Sequence, residues 1–154
     1  MKEVRGNFQG KGRKFALAAS DFNGFITKEL VSGCVKTLKK CGTDDKDISL
    51  FWVPGAYEMP LVASKLAASK KYDAVICLGA VIRGDTPHFD YIASAVSRGI
   101  NQASLQTGVP VVFGIITADT QEQAVDRAGV KQGNKGKDAA LTALELADLV
   151  KKVS

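Results

Sequence analysis

The chain has 154 residues, 24% of them charged and 45% hydrophobic, a size and balance that fit one folded domain and exclude global disorder. No apolar run approaches the ~20 residues that span a bilayer, and the amino terminus is charged where a signal peptide would be apolar. The net charge of +5 is spread along the chain with acids interleaved, so it reads first as a solvated surface and next as attraction for a small anionic substrate, rather than as a nucleic-acid stripe.

The elements alternate. Residues 2–8 are compatible with a strand, with the Gly-Lys-Gly at 10–12 as a hinge behind it. Residues 14–20 read as a strand, and 24–41 as a helix whose apolar residues Ile26, Leu30, Cys34 and Leu38 recur every fourth position. Gly42 follows as its stop. Residues 48–53 are β-branched and aromatic, hence a strand, and 58–69 look helical. The run 73–80 (DAVICLGA) is apolar throughout, as a parallel strand buried on both faces would be. A helix over 91–107 carries Ile92, Val96, Ile100 and Ala103 on one face. A strand at 110–117 precedes a short helix at 120–128, where Thr120 and Gln123 form a capping-box pattern. A helix over 139–153 closes the chain. Strands alternating with helices predict an α/β fold, a three-layer sandwich around a mainly parallel sheet. One domain is expected over 1–154, with residues 1–13 as an amino-terminal arm.

In such sheets ligands bind beyond the carboxyl ends of the strands. That rule singles out residues 21–24, 54–58, 81–88 and 118–120. In SDFNG, Asp21 or Asn23 fits a helix cap, whereas Phe22 is not needed for capping and suits stacking on a planar heterocycle. In VPGAYEMP, Pro54-Gly55 is turn chemistry and Tyr57 is equally readable as core. Glu58 suits a helix start or the hydroxyls of a polyol, and the backbone of Gly55, Ala56 and Tyr57 suits the edges of a ligand. In GAVIRGDTPHFDY, Gly84 permits unusual backbone, and the N–H groups of Asp85 and Thr86 ahead of a helix suit an anion. His88, the single histidine, sits beside that site, and an imidazole moves protons near neutral pH.

No serine or cysteine motif offers His88 a nucleophile, so a catalytic triad is not the reading. One histidine without ligand-spaced acids argues against a metal. The three cysteines, Cys34, Cys41 and Cys77, form no C-x-x-C pair and suggest neither a disulfide framework nor a zinc site; a reduced, cytoplasmic setting is expected. Arg127, Lys131, Lys135 and Lys137 make the last region basic, and Arg127 suits a phosphate as a planar fork.

The segments SDFN, VPGAYEMP, GAVIRGDTPHFDYI, FGIITADT and DRAGVKQGNKG, in that order across nearly the whole chain, together resemble the 6,7-dimethyl-8-ribityllumazine synthase family. The resemblance implies a flavodoxin-like fold whose amino-terminal strand adds to a neighbouring subunit. It implies a transferase of riboflavin biosynthesis that condenses 5-amino-6-(ribitylamino)uracil with 3,4-dihydroxy-2-butanone 4-phosphate, releasing phosphate and water. No metal or organic cofactor is implied. Phe22, with Asn23 beside it, would stack on the pyrimidine. Gly55, Ala56, Tyr57 and Glu58 would line ring and ribityl chain, and Ala80, Val81 and Ile82 would read the pyrimidine edge through backbone groups. Gly84, Asp85 and Thr86, with Arg127, would hold the phosphate, and His88 would shuttle protons. Phe113, Arg127 and Lys135 would come from the neighbouring subunit. Several relatives carry glutamate where this chain has Asp138, so no role is carried over to that carboxylate.

Family members are pentamers, many of them stacked into icosahedral shells. The compact AGVKQGNKG before the last helix, without added residues, implies a sixty-subunit capsid, for which riboflavin synthase is a candidate cargo. Neither nucleic acid nor membrane is expected as a partner. Two other readings remain: a non-catalytic flavin- or lumazine-binding relative, and a doubly wound phospho-signalling domain. The second would need acids clustered around Asp21, which the sequence does not provide.

Overall fold

The computed structural model describes residues 1–129 and 133–154. Strands β1 (Phe15–Ser20), β2 (Ile48–Val53), β3 (Ala74–Ile82) and β4 (Val111–Ala118) form one sheet of order β2-β1-β3-β4, every pair parallel. The two central strands are apolar along their length because both faces are covered. The edge strands are not: β2 exposes Leu50 and Trp52, and β4 exposes Phe113 and Thr117. Among the described residues the order is that of the flavodoxin-like fold without a fifth strand.

Helices α1 (Gly24–Lys40) and α5 (Lys135–Val153) cover one face, and α2 (Met59–Ala68) and α3 (His88–Thr107) cover the other. Alternation along β1 divides the core: Phe15 and Leu17 pack with Leu30 of α1 and Leu144 of α5, while Ala16 and Ala18 pack with Met59 of α2 and Val96 of α3. The α1–α5 contact is close because α5 presents Gly136, Ala139, Ala140 and Ala143 there. A Cβ at Gly136 would lie 2.7 Å from the Leu30 carbonyl carbon and nearer still to its oxygen. Short helix α4 (Gln121–Arg127) follows β4. No helix among the described residues is long and apolar enough to cross a membrane.

Several expectations change. Residues 2–8 form no strand within the chain; the arm instead lies against α5. The Asn7 N–H donates to Asp148 Oδ2 (3.0 Å), Lys152 Nζ donates to the Arg5 carbonyl (2.9 Å), and Arg13 pairs with Asp148 at 3.0 Å. Hydrogen bonds from Lys152 and from the Asn7 N–H hold the Asp148 carboxyl below the ordinary carboxylate range. Asn23 occupies the N-cap position of α1 as expected, but no side chain makes the capping hydrogen bond. Asn23 takes a left-handed conformation (φ 60°) and contributes its carbonyl to the first turn instead. Helix α3 begins at His88 rather than Tyr91, and α5 at Lys135 rather than Ala139, with Asn134 accepting from the Lys137 N–H. Thr120 caps α4 as expected, but Gln123 reaches back to the Asp119 N–H, one residue earlier than a capping box requires. Gly84 has ordinary backbone with open space around it, so the fold itself does not demand glycine there. Lys131 lies outside the described residues.

Candidate active site

Because all four strands run the same way, their carboxyl ends meet at one edge of the sheet. β1 and β3 are neighbours there, although β2 follows β1 on the opposite side; the crevice opens where the strand order reverses. A cavity of about 850 Å³ occupies this place. A smaller cleft of about 430 Å³, ringed by Lys14, Lys46, Lys70 and Lys71, lies at the opposite edge, away from these loops.

The loops around the larger cavity are fastened to one another. The Asp21 N–H donates to the Val53 carbonyl (2.7 Å) and the Phe22 N–H to the Pro54 carbonyl (3.0 Å), so the turn beyond β1 is clipped to the turn beyond β2. Ser20 Oγ donates to the Phe22 carbonyl, and Asn23 Nδ2 donates to the Ala80 carbonyl at the end of β3 (3.2 Å). A polar side chain in a left-handed turn thereby links two strands, and the Phe22 ring is left 72% exposed over the cavity. A 3-10 turn at Ala56–Glu58 buries Ala56 and leaves Tyr57 and Glu58 outside. Past β3, the backbone N–H groups of Gly84, Asp85 and Thr86 donate to no acceptor among the described residues, while Thr86 Oγ1 accepts from the His88 N–H (3.4 Å). Free N–H groups ahead of the α3 amino terminus give this end of the cavity a preference for an anion. His88 stands in the first turn of α3, exposed to the cavity.

The structure brings most of the expected residues together. Phe22, Asn23, Gly55, Ala56, Tyr57, Glu58, Ala80, Val81, Ile82, Gly84, Thr86 and His88 line the cavity. Asp85 does not line it, and neither do Phe113, Arg127 and Lys135. Phe113 and Thr117 are exposed on the same face of edge strand β4, and Arg127 Nη1 donates to the Thr117 carbonyl (3.0 Å). A bridge between Ala128 and Asn134 then sets the start of α5, Lys135, directly behind Arg127. Within one chain these three belong to a different surface from the cavity.

Pro54, which the strand-end rule marked only as turn chemistry, also lines the cavity, as do Phe89, Tyr91, Ile92 and Gln121, which it did not mark. A signal was present for the helical ones. The fourfold series Ile92, Val96, Ile100 extends back to His88, which places His88, Tyr91 and Ile92 on one helical face. Cys34 and Cys77 are buried in the core, and burial pushes both thiols up to about 12, so neither offers a thiolate to the chemistry.

A flat aromatic ring at one end, polar turns along the wall and an anion-ready turn beside an imidazole suit a substrate pair, one heterocyclic and one phosphorylated. Comparison with known proteins agrees with that chemistry. The family model described as 6,7-dimethyl-8-ribityllumazine synthase matches residues 12–151. A protein of that name from Syntrophus aciditrophicus is 55% identical over 150 residues, covering 97% of each chain. Another from Desulfotalea psychrophila is 56% identical over 147 residues, covering 96% of this chain and 95% of the relative. The chain belongs to the 6,7-dimethyl-8-ribityllumazine synthase family.

Proposed function

We propose that the cavity condenses 5-amino-6-(ribitylamino)uracil with 3,4-dihydroxy-2-butanone 4-phosphate, forming 6,7-dimethyl-8-ribityllumazine with loss of phosphate and water. The observation that carries this reading is the convergence of Phe22, the polar turn at Gly55–Glu58 and the turn carrying Gly84 and Thr86, whose N–H groups are unpaired, on one cavity beside His88. Phe22 stacks on the pyrimidine, Glu58 accepts from ribityl hydroxyls, and the backbone at Ala80, Val81 and Ile82 reads the pyrimidine edge. The N–H groups at 84–86 take the phosphate. The amine of the first substrate is itself the nucleophile toward the carbonyl, so the protein needs to align the pair and move protons, which is the task of His88. Incubation with both substrates, following the fluorescent product, tests the whole reading. Absence of turnover with retained lumazine binding would leave the non-catalytic relative as the answer.

The remaining charge comes from a second copy of the chain. Phe113, Arg127 and Lys135 face away from their own cavity, as they must if they complete a neighbour's. Arg127→Ala is expected to raise the KM for the butanone phosphate about 10- to 100-fold, the worth of charge-assisted hydrogen bonds to a phosphate, while sparing the pyrimidine substrate. An unchanged KM for the phosphate substrate refutes the assignment.

The same logic requires at least a ring of subunits, and the lack of added residues before α5 favours pentamers stacked into a sixty-subunit shell. The unpaired edge of β2 and an arm free of proline, the first in the chain being Pro54, suit strand addition between copies. Light scattering at physiological salt is expected to return the mass of the shell; a mass near that of one pentamer overturns it. A cytoplasmic setting fits these substrates.

A further inference from the structure

We propose that Arg83 is a positioning residue for the phosphate end of the site, an inference that rests on reading residues 84–86 as the phosphate cradle. Arg83 is the first residue past β3, and its N–H donates to the Ala118 carbonyl (2.8 Å), one step beyond the last strand pair. Its guanidinium is engaged on three sides. Nε donates to Asp119 Oδ1 at 2.9 Å, Nη2 meets Asp90 Oδ1 at 3.4 Å, and Cζ lies 4.5 Å from the centre of the Phe89 ring. Asp119 belongs to the loop beyond β4, whereas Phe89 and Asp90 belong to the first turn of α3. One planar cation therefore joins the end of β3, the β4–α4 loop and the helix start that carries His88.

The segment it brackets needs that help. Among the described residues, the backbone of 84–86 makes no hydrogen bond of its own, and a Cβ at Gly84 would meet nothing. Such a turn is placed by its two ends. Arg83 is one end, and it grips the other through Phe89 and Asp90. Phe89 also lines the cavity, so the guanidinium backs the wall that faces the substrate. Arg83 does not line the cavity itself, and its recorded hydrogen bonds go to two carboxylates, one from Nε and one from Nη2. Its pairs are solvent-exposed, so they add little to global stability; their effect is local geometry.

The test compares KM for each substrate in Arg83→Ala, Arg83→Lys and Asp119→Asn, with Arg127→Ala as reference. Positioning predicts that Arg83→Ala raises the KM for the butanone phosphate about ten-fold, a misplacement-sized effect, with the KM for the pyrimidine within about two-fold and the unfolding midpoint unchanged. Lysine restores the charge but neither the fork nor the stacking, so it recovers little. Asp119→Asn supplies the decisive sign. It removes a negative charge near the phosphate, which would tighten binding if Arg83 were a direct phosphate ligand or acted only through charge. Positioning requires that it weaken binding, because the amide oxygen still accepts from Nε but holds the guanidinium less firmly than a carboxylate does. Tightening or no change in Asp119→Asn, full rescue by lysine, or equal loss of both substrates in Arg83→Ala overturns the proposal. If neither Arg83→Ala nor Arg127→Ala changes the phosphate KM, the reading of residues 84–86 as the phosphate cradle has failed, and the proposal goes with it.

Discussion

His88→Ala is expected to slow turnover about 100-fold, at the lower end of what a positioned acid–base group contributes, and to leave measurable activity. The reason lies in the division of work. The attacking amine belongs to the substrate, so the imidazole activates no protein nucleophile. Alignment of two bound reactants supplies the larger share, since well-oriented intramolecular reactions reach effective molarities of ~10⁵ M or more. In the structure His88 stands at the head of α3 with its ring exposed to the cavity, and no residue among those described hydrogen-bonds that ring. It is placed to exchange protons with a substrate rather than with a relay. Single-turnover kinetics should show the loss in the chemical step, with both KM values close to those of the parent. Abolition of turnover in a folded variant that still binds both substrates contradicts this account.

Gly136→Ala carries the largest expected effect on stability. Alanine in place of glycine inside a helix ordinarily gains about 1 kcal/mol. Here the added methyl would be driven into the Leu30 carbonyl group of α1, within 2.7 Å of its carbon. That neighbour is backbone in the middle of a packed helix, so no rotamer change relieves the clash. Overpacking of this kind costs about 3 kcal/mol or more, which outweighs the propensity gain and leaves a net loss near 2 kcal/mol. For a chain of this length that lowers the midpoint by about 4–8 °C. Thermal unfolding at fixed protein concentration checks it, with Gly84→Ala, where a Cβ meets open space, as the variant expected to unfold like the parent. A midpoint that rises in Gly136→Ala would mean that α1 and α5 pack less closely than described.

Gly136 also marks where the sequence could mislead. Two glycines flanking Asn134 read as a loose turn, and the last helix is therefore expected only from Ala139. In the fold, Asn134 is the cap and Gly136 is helical because α1 leaves no room for a side chain: tertiary packing overrides local preference. The start of α3 was obscured in a similar way. Turn residues at 84–87 suggest that the loop runs on, yet Pro87 stands just ahead of the helix and His88 opens it. That shift of three residues concealed Phe89 and Tyr91 as wall residues.

The strands were easier to read, since buried parallel strands must be apolar throughout, and β2 matches its expected limits. The strand-end rule then identified most of the cavity wall. It did not single out Phe113, Arg127 and Lys135, which lie away from the strand ends it marks and do not line the cavity. The arm over residues 2–8 is compatible with a strand in sequence, yet within the chain it lies against α5 through Asp148.

The paired clips between the turns after β1 and β2 bear on how recognition is divided. With its own N–H and that of Asp21 bound to the Pro54 and Val53 carbonyls, the main chain at Phe22 is fastened before any guest arrives. A planar guest settling on that ring freezes no additional main chain, so its residence there reflects shared surface and solvent release. The stretch at 84–86 is the opposite case: its main-chain N–H groups are unbonded, so a guest there gains contacts that the protein itself leaves unmade.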